Sequence, residues 1–171
     1  MALIVEDGTI VPNANSYVTR SDYIIYAAAV GVTVADDASA DVQLVKSAEY
    51  IGRHEANMKG YRALRDQPIA FPRHNVLIDD WYWTGTEIPR HVILCQMAFA
   101  LDINAGVDLY NRPRNPSMTN IVKSKRVEGA VSVVYADTNS SGQKLSATST
   151  GDALLASLLE NNGLSIAVER A

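Results

Sequence analysis

The side chains with the greatest chemical potential are three histidines, one cysteine and the adjacent carboxylates Asp79-Asp80. His54, His74 and His91 each lack a second ligand at metal-binding spacing, and the single Cys95 offers no partner thiolate. A metal site is therefore not expected. Asp79-Asp80 lies in a polar and aromatic stretch, where neighbouring carboxylates point apart into solvent instead of sharing a proton. His91 falls one turn into an apolar helix and reads as a surface or core-edge histidine, not a general base. Cys95 lies on the same helix and reads as a small buried hydrophobe. The chain has no glycine-rich phosphate loop and no G-x-S-x-G elbow. The expectation is a protein without catalytic residues and without a cofactor.

Two features stand out from this background. Trp81-Tyr82-Trp83 concentrates aromatic surface in one short stretch, suited to stacking on bases, anchoring a protein interface or folding back on the core. Charge is also segregated. The formal net charge is −4, yet Tyr110 to Ala130 holds five cations (Arg112, Arg114, Lys123, Lys125, Arg126) against Glu128 alone. That stretch carries +4 and leaves −8 for the rest of the chain. A basic hairpin on an acidic body suits contact with phosphates or with an acidic protein surface; equally, cations keep a sheet edge soluble.

The elements that position these residues follow from periodicity. Ile88 to Ala105 is apolar nearly all round, opens on Pro89 and stops at Gly106, so it is expected to be the central core helix. It is too short and too interrupted to span a membrane. Thr19 and Asp22 start a first helix, with Tyr23, Ile24, Ala27 and Val30 as its apolar set and Gly31 as its stop. A turn containing Asp36, Asp37 and Ser39 opens the second, expected near 40–58, which carries Val42, Leu44, Val45, Ala48 and Ile51 inward and is closed by Gly60. Tyr61 to Thr86 reads as an irregular connection pinned by Phe71, with Asp79 to Gly85 as an aromatic loop. Ala2 to Val5 suits a short strand. Ile121 to Tyr135 alternates around Glu128-Gly129 and predicts a β-hairpin. Ser149 and Asp152 open a last helix, stopped at Asn161-Asn162-Gly163. Thr138 to Thr150 is rich in Ser, Thr and Gly, and Leu164 to Val168 alternates like a strand. The fold class is thus mainly α: a small bundle of about four helices with one β-hairpin and an extended C-terminal tail. The 171 residues suit one domain, with 1–18 as an extended lead-in, the hairpin at 121–135 and the tail at 161–171. The first residues lack a basic run followed by a long apolar one, so no signal peptide is expected, and the single cysteine suits a reducing cytosol.

The order of these pieces resembles a group of tailed-phage proteins. Val5-Glu6-Asp7-Gly8 followed by Ala14-Asn15-Ser16-Tyr17-Val18 is similar to the opening of head–tail connector subunits, also called adaptor or head-completion proteins and often labelled DnaT-like ssDNA-binding. The likeness continues through Ala48-Glu49-Tyr50-Ile51, Ile69-Ala70-Phe71-Pro72-Arg73, Ile88-Pro89, the Lys/Arg-then-Gly-Val hairpin and the Leu-rich last helix. Phe71 stands where the group commonly has Trp, and the Trp81 to Thr86 stretch is longer and more aromatic than in the group. The resemblance implies a non-enzymatic virion protein of the neck, assembled in the host cytoplasm. It implies a ring, usually of twelve copies, beneath the phage portal protein, receiving a neck or tail component and passing double-stranded DNA with weak, unspecific contact. No membrane is involved. Within that frame, Lys123, Lys125, Arg126, Leu164, Ile166, Val168, Arg170, Trp81 and Trp83 are the candidate portal or partner contacts. The alternative is a single-stranded DNA-binding replication protein.

Overall fold

The computed structural model describes residues 2–110 and 149–160 in full, and 124–127 and 131–134 as backbone. Four α-helices make up the body: α1 (Arg20–Ala29), α2 (Asp37–Gly52), α3 (Arg90–Asn104) and α4 (Thr150–Leu158). Each of α1, α2 and α4 starts where a side chain accepts from a free N–H of the first turn. Thr19 accepts from Asp22, Asp36 accepts from Ser39, and Ser149 forms a reciprocal capping box with Asp152. α3 starts on Pro89 without a side-chain cap.

α3 is the central helix, packing on α1, α2 and α4. Val92, Cys95, Gln96, Met97, Ala98, Phe99 and Ala100 are all buried on it. Phe99 meets Tyr50 of α2 edge-on at 4.9 Å, within the range where such ring pairs attract. On its other side the Phe99 ring lies against Gly151 of α4, leaving no space for a Cβ. The Cys95 thiol is buried, its pKa raised by desolvation, and it contacts the Gly151 carbonyl. α2 presents Ala40, Gln43, Leu44, Ser47, Ala48 and Ile51 inward. Tyr23 of α1 is buried, its hydroxyl pushed up to about 12 by desolvation, and it donates to Gln43 at 2.7 Å.

Several boundaries and faces differ from the sequence expectation. α2 ends at Gly52, not near Met58; Arg53 caps it and a separate 3-10 turn follows at Glu55–Asn57. Val42, Ile24 and Val30 face solvent, and Val45 and Leu101 are half-buried. Leu44 and Tyr23 take the central places instead. The expected strand at Ala2 to Val5 reduces to one parallel bridge, Val5 to Ser16. Tyr61 to Thr86 is not irregular but holds two short antiparallel hairpins. They are β1 (Tyr61–Arg62) with β2 (Arg73–His74), and β3 (Val76–Ile78) with β4 (Trp81–Trp83).

Residues 110–148 form a second compact unit, between α3 and α4 in the chain. It contains the expected hairpin, β5 (Ser124–Val127) paired with β6 (Val131–Val134), with Val127 opposite Val131 across the Glu128-Gly129-Ala130 connection. The tail from residue 161 and most of the Ser/Thr/Gly-rich stretch at 138–150 lie outside the described residues. Among the described residues no helix is long and apolar enough to cross a membrane.

The Gly151 contact reverses the usual helix preference. Ala is the better helix former by about 1 kcal/mol, yet a Cβ on Gly151 falls 2.6 Å from the Phe99 ring. Gly151→Ala is expected to destabilise the protein by about 1–3 kcal/mol. Phe99→Ala should cost about 3–5 kcal/mol. Urea unfolding of both variants checks the pair; a stabilised Gly151→Ala protein contradicts the packing.

Candidate interaction surface

The aromatic stretch sits on a short hairpin. Asp79 and Asp80 have φ of 52° and 65°, and Ile78 pairs with Trp81, so a two-residue turn with both residues left-handed joins β3 to β4. That is the type I′ geometry, whose twist matches the strands it connects. Asp tolerates this conformation better than most side chains. Val76 and Ile78 are buried on the inner face, and Trp83 lies half-buried against the core. Trp81 at the turn is 76% exposed and Tyr82 is 70% exposed. Leu77, opposite Tyr82, is also exposed. The hairpin therefore presents Trp81 and Tyr82 outward, while Trp83 serves as its anchor. His91, on the first turn of α3, lies beside the turn, with Nε2 3.1 Å from Asp79 Oδ2.

A network of buried polar groups holds the neighbouring hairpin. Arg73 is 6% exposed and donates to the carbonyls of Lys59 (3.0 Å) and Gly60 (2.8 Å). Its remaining nitrogen lies 3.2 Å from Glu55. Arg62 grips the same carboxylate with two nitrogens and donates to the Gln67 carbonyl. Hydrogen bonds from Arg62 are the main reason the Glu55 carboxyl sits below its ordinary pKa. Burial, conversely, lowers that of Arg73. Gln67 is 3% exposed; its amide donates to the carbonyls of Ile69, Ala70 and Pro72 and accepts from the Leu64 N–H. These contacts wrap the chain around the cis Phe71-Pro72 bond. Phe71 is buried as expected, edge-on to Tyr17 at 6.3 Å, and its N–H donates to the Tyr17 hydroxyl. His74 projects outward beside Tyr61, ring centres 5.6 Å apart, with Gly85 against the His74 ring.

The geometry thus keeps some sequence candidates and re-sorts others. Trp81 and Tyr82 are exposed, as are Tyr61 and His74 on the neighbouring hairpin, which the sequence did not single out for contact. The Asp79-Asp80 pair is a turn, and the His91 ring is a brace. Lys125 and Arg126 fall on β5, of which only the backbone is described. Lys123, Leu164, Ile166, Val168 and Arg170 lie outside the described residues. Among the described residues no group of three or more His, Cys, Asp or Glu is placed to hold a metal ion. Body residues 2–109 and 149–160 carry eight Lys and Arg against sixteen Asp and Glu.

A family model described as "Putative DnaT-like ssDNA binding protein" matches residues 1–171, the whole chain. The chain belongs to this family. No curated protein and no solved structure matches it. In this family member, Pro72-Arg73 and the Glu6 to Ser16 stretch serve the framework, and the exposed aromatics are what the framework displays.

The Glu55 network has a pH consequence. A carboxyl whose folded pKa lies below its unfolded value contributes stability above the unfolded pKa, and that contribution is lost as pH falls through the folded one. The ordinary value is 4.5. Stability of the wild type is expected to fall as pH drops below about 4.5, and Glu55→Gln should flatten that limb while lowering stability at pH 7. Urea midpoints from pH 7 to pH 3 measure both effects. An unchanged acid limb in Glu55→Gln means the carboxylate is not held by its arginines.

Proposed function

We propose that the chain is a non-enzymatic assembly subunit, and specifically an adaptor of the tailed-phage neck that forms a ring beneath the portal and links head to tail. The observation that carries this reading is the Trp81-Tyr82 pair, exposed on a braced hairpin directly beside Asp79 and Asp80. Large aromatics on a rigid support make protein-interface anchors. Two carboxylates beside them oppose a phosphate backbone and favour a protein partner. The acidic body supports the same reading, because a wall of negative charge lets double-stranded DNA slide past without adhering. The order of motifs along the chain, similar to that of connector subunits, supports the adaptor role over other assemblies.

A second reading, a single-stranded DNA-binding protein, is favoured by the family description itself. It needs a stacking platform with cations tracking the backbone. The exposed aromatics meet the first requirement, and Arg112, Arg114, Lys123, Lys125 and Arg126 supply candidates for the second.

The two readings separate in solution. For an adaptor, Trp81→Ala with Tyr82→Ala should leave folding intact, since both side chains are exposed, and reduce docking onto portal-bearing heads at least tenfold. Binding of short single strands should stay at about 10 μM or weaker near physiological salt, in the range of unspecific contact. Fluorescence anisotropy with oligonucleotides, beside sedimentation of heads with added protein, measures both. Tight, salt-resistant binding of single strands, lost in the double variant, overturns the adaptor reading in favour of the second.

A further inference from the structure

The cations of the body are not spread evenly. Of its eight Lys and Arg, five (Arg53, Lys59, Arg62, Arg65 and Arg73) fall within residues 53–73, against Glu55 and Asp66. This segment carries +3 within an acidic body, and it holds β1 and opens β2. Tyr61 pairs with His74 and Arg62 with Arg73, so strand alternation sends the two residue pairs to opposite faces. On the inner face both guanidiniums meet Glu55, whose charge is thereby countered by two cations. On the outer face Tyr61 is 62% exposed and His74 is exposed beside it, the ring planes inclined at 42°.

The outer face is held in place by close approaches of the chain. Gly60 has a φ of 69°, and a Cβ on it would fall 2.1 Å from the His74 carbonyl oxygen. A Cβ on Gly85 would fall 2.2 Å from the His74 ring. Lys59 precedes Tyr61 by two residues and Arg65 follows it by four. The Lys59 N–H donates to the Leu158 carbonyl, and its own carbonyl accepts from Arg73. Arg65 is exposed, and its carbonyl lies 3.3 Å from an Arg62 nitrogen. Arg62 and Arg73 are committed to Glu55 and to backbone carbonyls. They add to the local field, and Lys59 and Arg65 are the cations nearest Tyr61 in the chain that this network does not use.

An exposed ring with cations close to it is what a stacked base and its adjoining phosphates require. Trp81 lacks this, since Asp79 and Asp80 precede it. We propose that the outer face of the β1–β2 hairpin is a binding site for single-stranded nucleic acid. One base lies on Tyr61, bordered by His74, and the flanking phosphates meet Lys59 and Arg65. A duplex keeps its base faces covered, so it meets the cations alone. The proposal rests on the second reading for its class of ligand, but it places the contact on the body and uses neither Trp81-Tyr82 nor the cations of Tyr110 to Ala130. Contact weaker than about 10 μM near physiological salt keeps it compatible with an adaptor.

The test uses the full chain and a labelled thymidine oligonucleotide of about 12 nucleotides, followed by fluorescence anisotropy. At about 50 mM salt the wild type should bind with a Kd of about 100 μM or tighter. Tyr61→Ala should weaken binding about fivefold or more, while Tyr61→Phe, which keeps the ring, should hold it within about twofold. Lys59→Gln and Arg65→Gln should each weaken binding and lower the slope of log Kd against log salt by about one. Equal urea midpoints for wild type and Tyr61→Ala, whose side chain is exposed, exclude unfolding as the cause. Photo-cross-linking of a 5-iodouracil oligonucleotide, mapped by mass spectrometry, should mark Tyr61 or His74. Failure of the wild type to bind overturns the site and the second reading together. Binding that Tyr61→Ala leaves unchanged, or cross-links only at Trp81 and Tyr82 or within residues 110–148, overturns the site alone.

Discussion

The buried amide of Gln96 holds the architecture in register. It lies on α3 with no solvent exposure, accepts from the Tyr17 N–H at 2.8 Å, and donates to Ser16 Oγ and to the Leu44 carbonyl. An apolar helix alone fixes neither its rotation nor its height, because hydrophobic burial has no direction. One side chain with an acceptor and two donors fixes both, since each of its partners is costly to leave unsatisfied in the interior. Through these bonds α3, α2 and the N-terminal segment become one frame. Glu6 does the same for the loop that follows it. Its buried carboxylate accepts from the backbone N–H groups of Gly8, Ile10 and Val11, and Gly8, at φ 105°, packs against the Thr86 carbonyl.

From that frame the constraint passes outward through contiguous groups. The backbone of Tyr17 is held by Gln96; its hydroxyl, buried and with its pKa raised by desolvation, accepts from the Phe71 N–H. Phe71-Pro72 leads directly into Arg73, which closes on Lys59, Gly60 and Glu55. The next residues are β3, its turn, and the exposed tryptophan. The aromatic surface is therefore displayed by a segment tied at both ends, by the Arg73 network on one side and by the His91–Asp79 contact with Trp83 packing on the other. Preorganisation of this kind spares a partner the cost of ordering a loop.

The sequence made the parts with local causes legible. Caps at Thr19 and Ser149 act over three residues, and the composition of α3 announces its burial; Cys95 and Phe71 are buried where apolar context placed them. The two hairpins between Tyr61 and Trp83 were not legible, because their strands are two or three residues long and their turn is Asp-Asp, without the glycine that usually marks type I′. The 3-10 turn at Glu55–Asn57 follows closely on α2, so the end of that helix at Gly52 has no local mark in the sequence. Gln67 and Gln96 carried no signal as polar residues in ordinary positions, since their roles rest on partners brought near by the fold. Val42 and Val30 show the reverse error: an apolar residue at helical spacing is inward only if a neighbour covers it.

Charge divides the two functional readings between two parts of the chain. The body carries twice as many carboxylates as cations, and the aromatic hairpin has acidic residues at its turn. The cations of Tyr110 to Ala130 belong to the separate unit of residues 110–148. Stacking on a base strengthens nucleic-acid binding most where a cation also meets the adjoining phosphate. At Trp81 the adjoining sequence offers carboxylates instead. The proposed nucleic-acid reading draws on the cations of Tyr110 to Ala130, and the proposed protein-assembly reading on the exposed aromatics of the body. The two sets of residues belong to different segments of the chain.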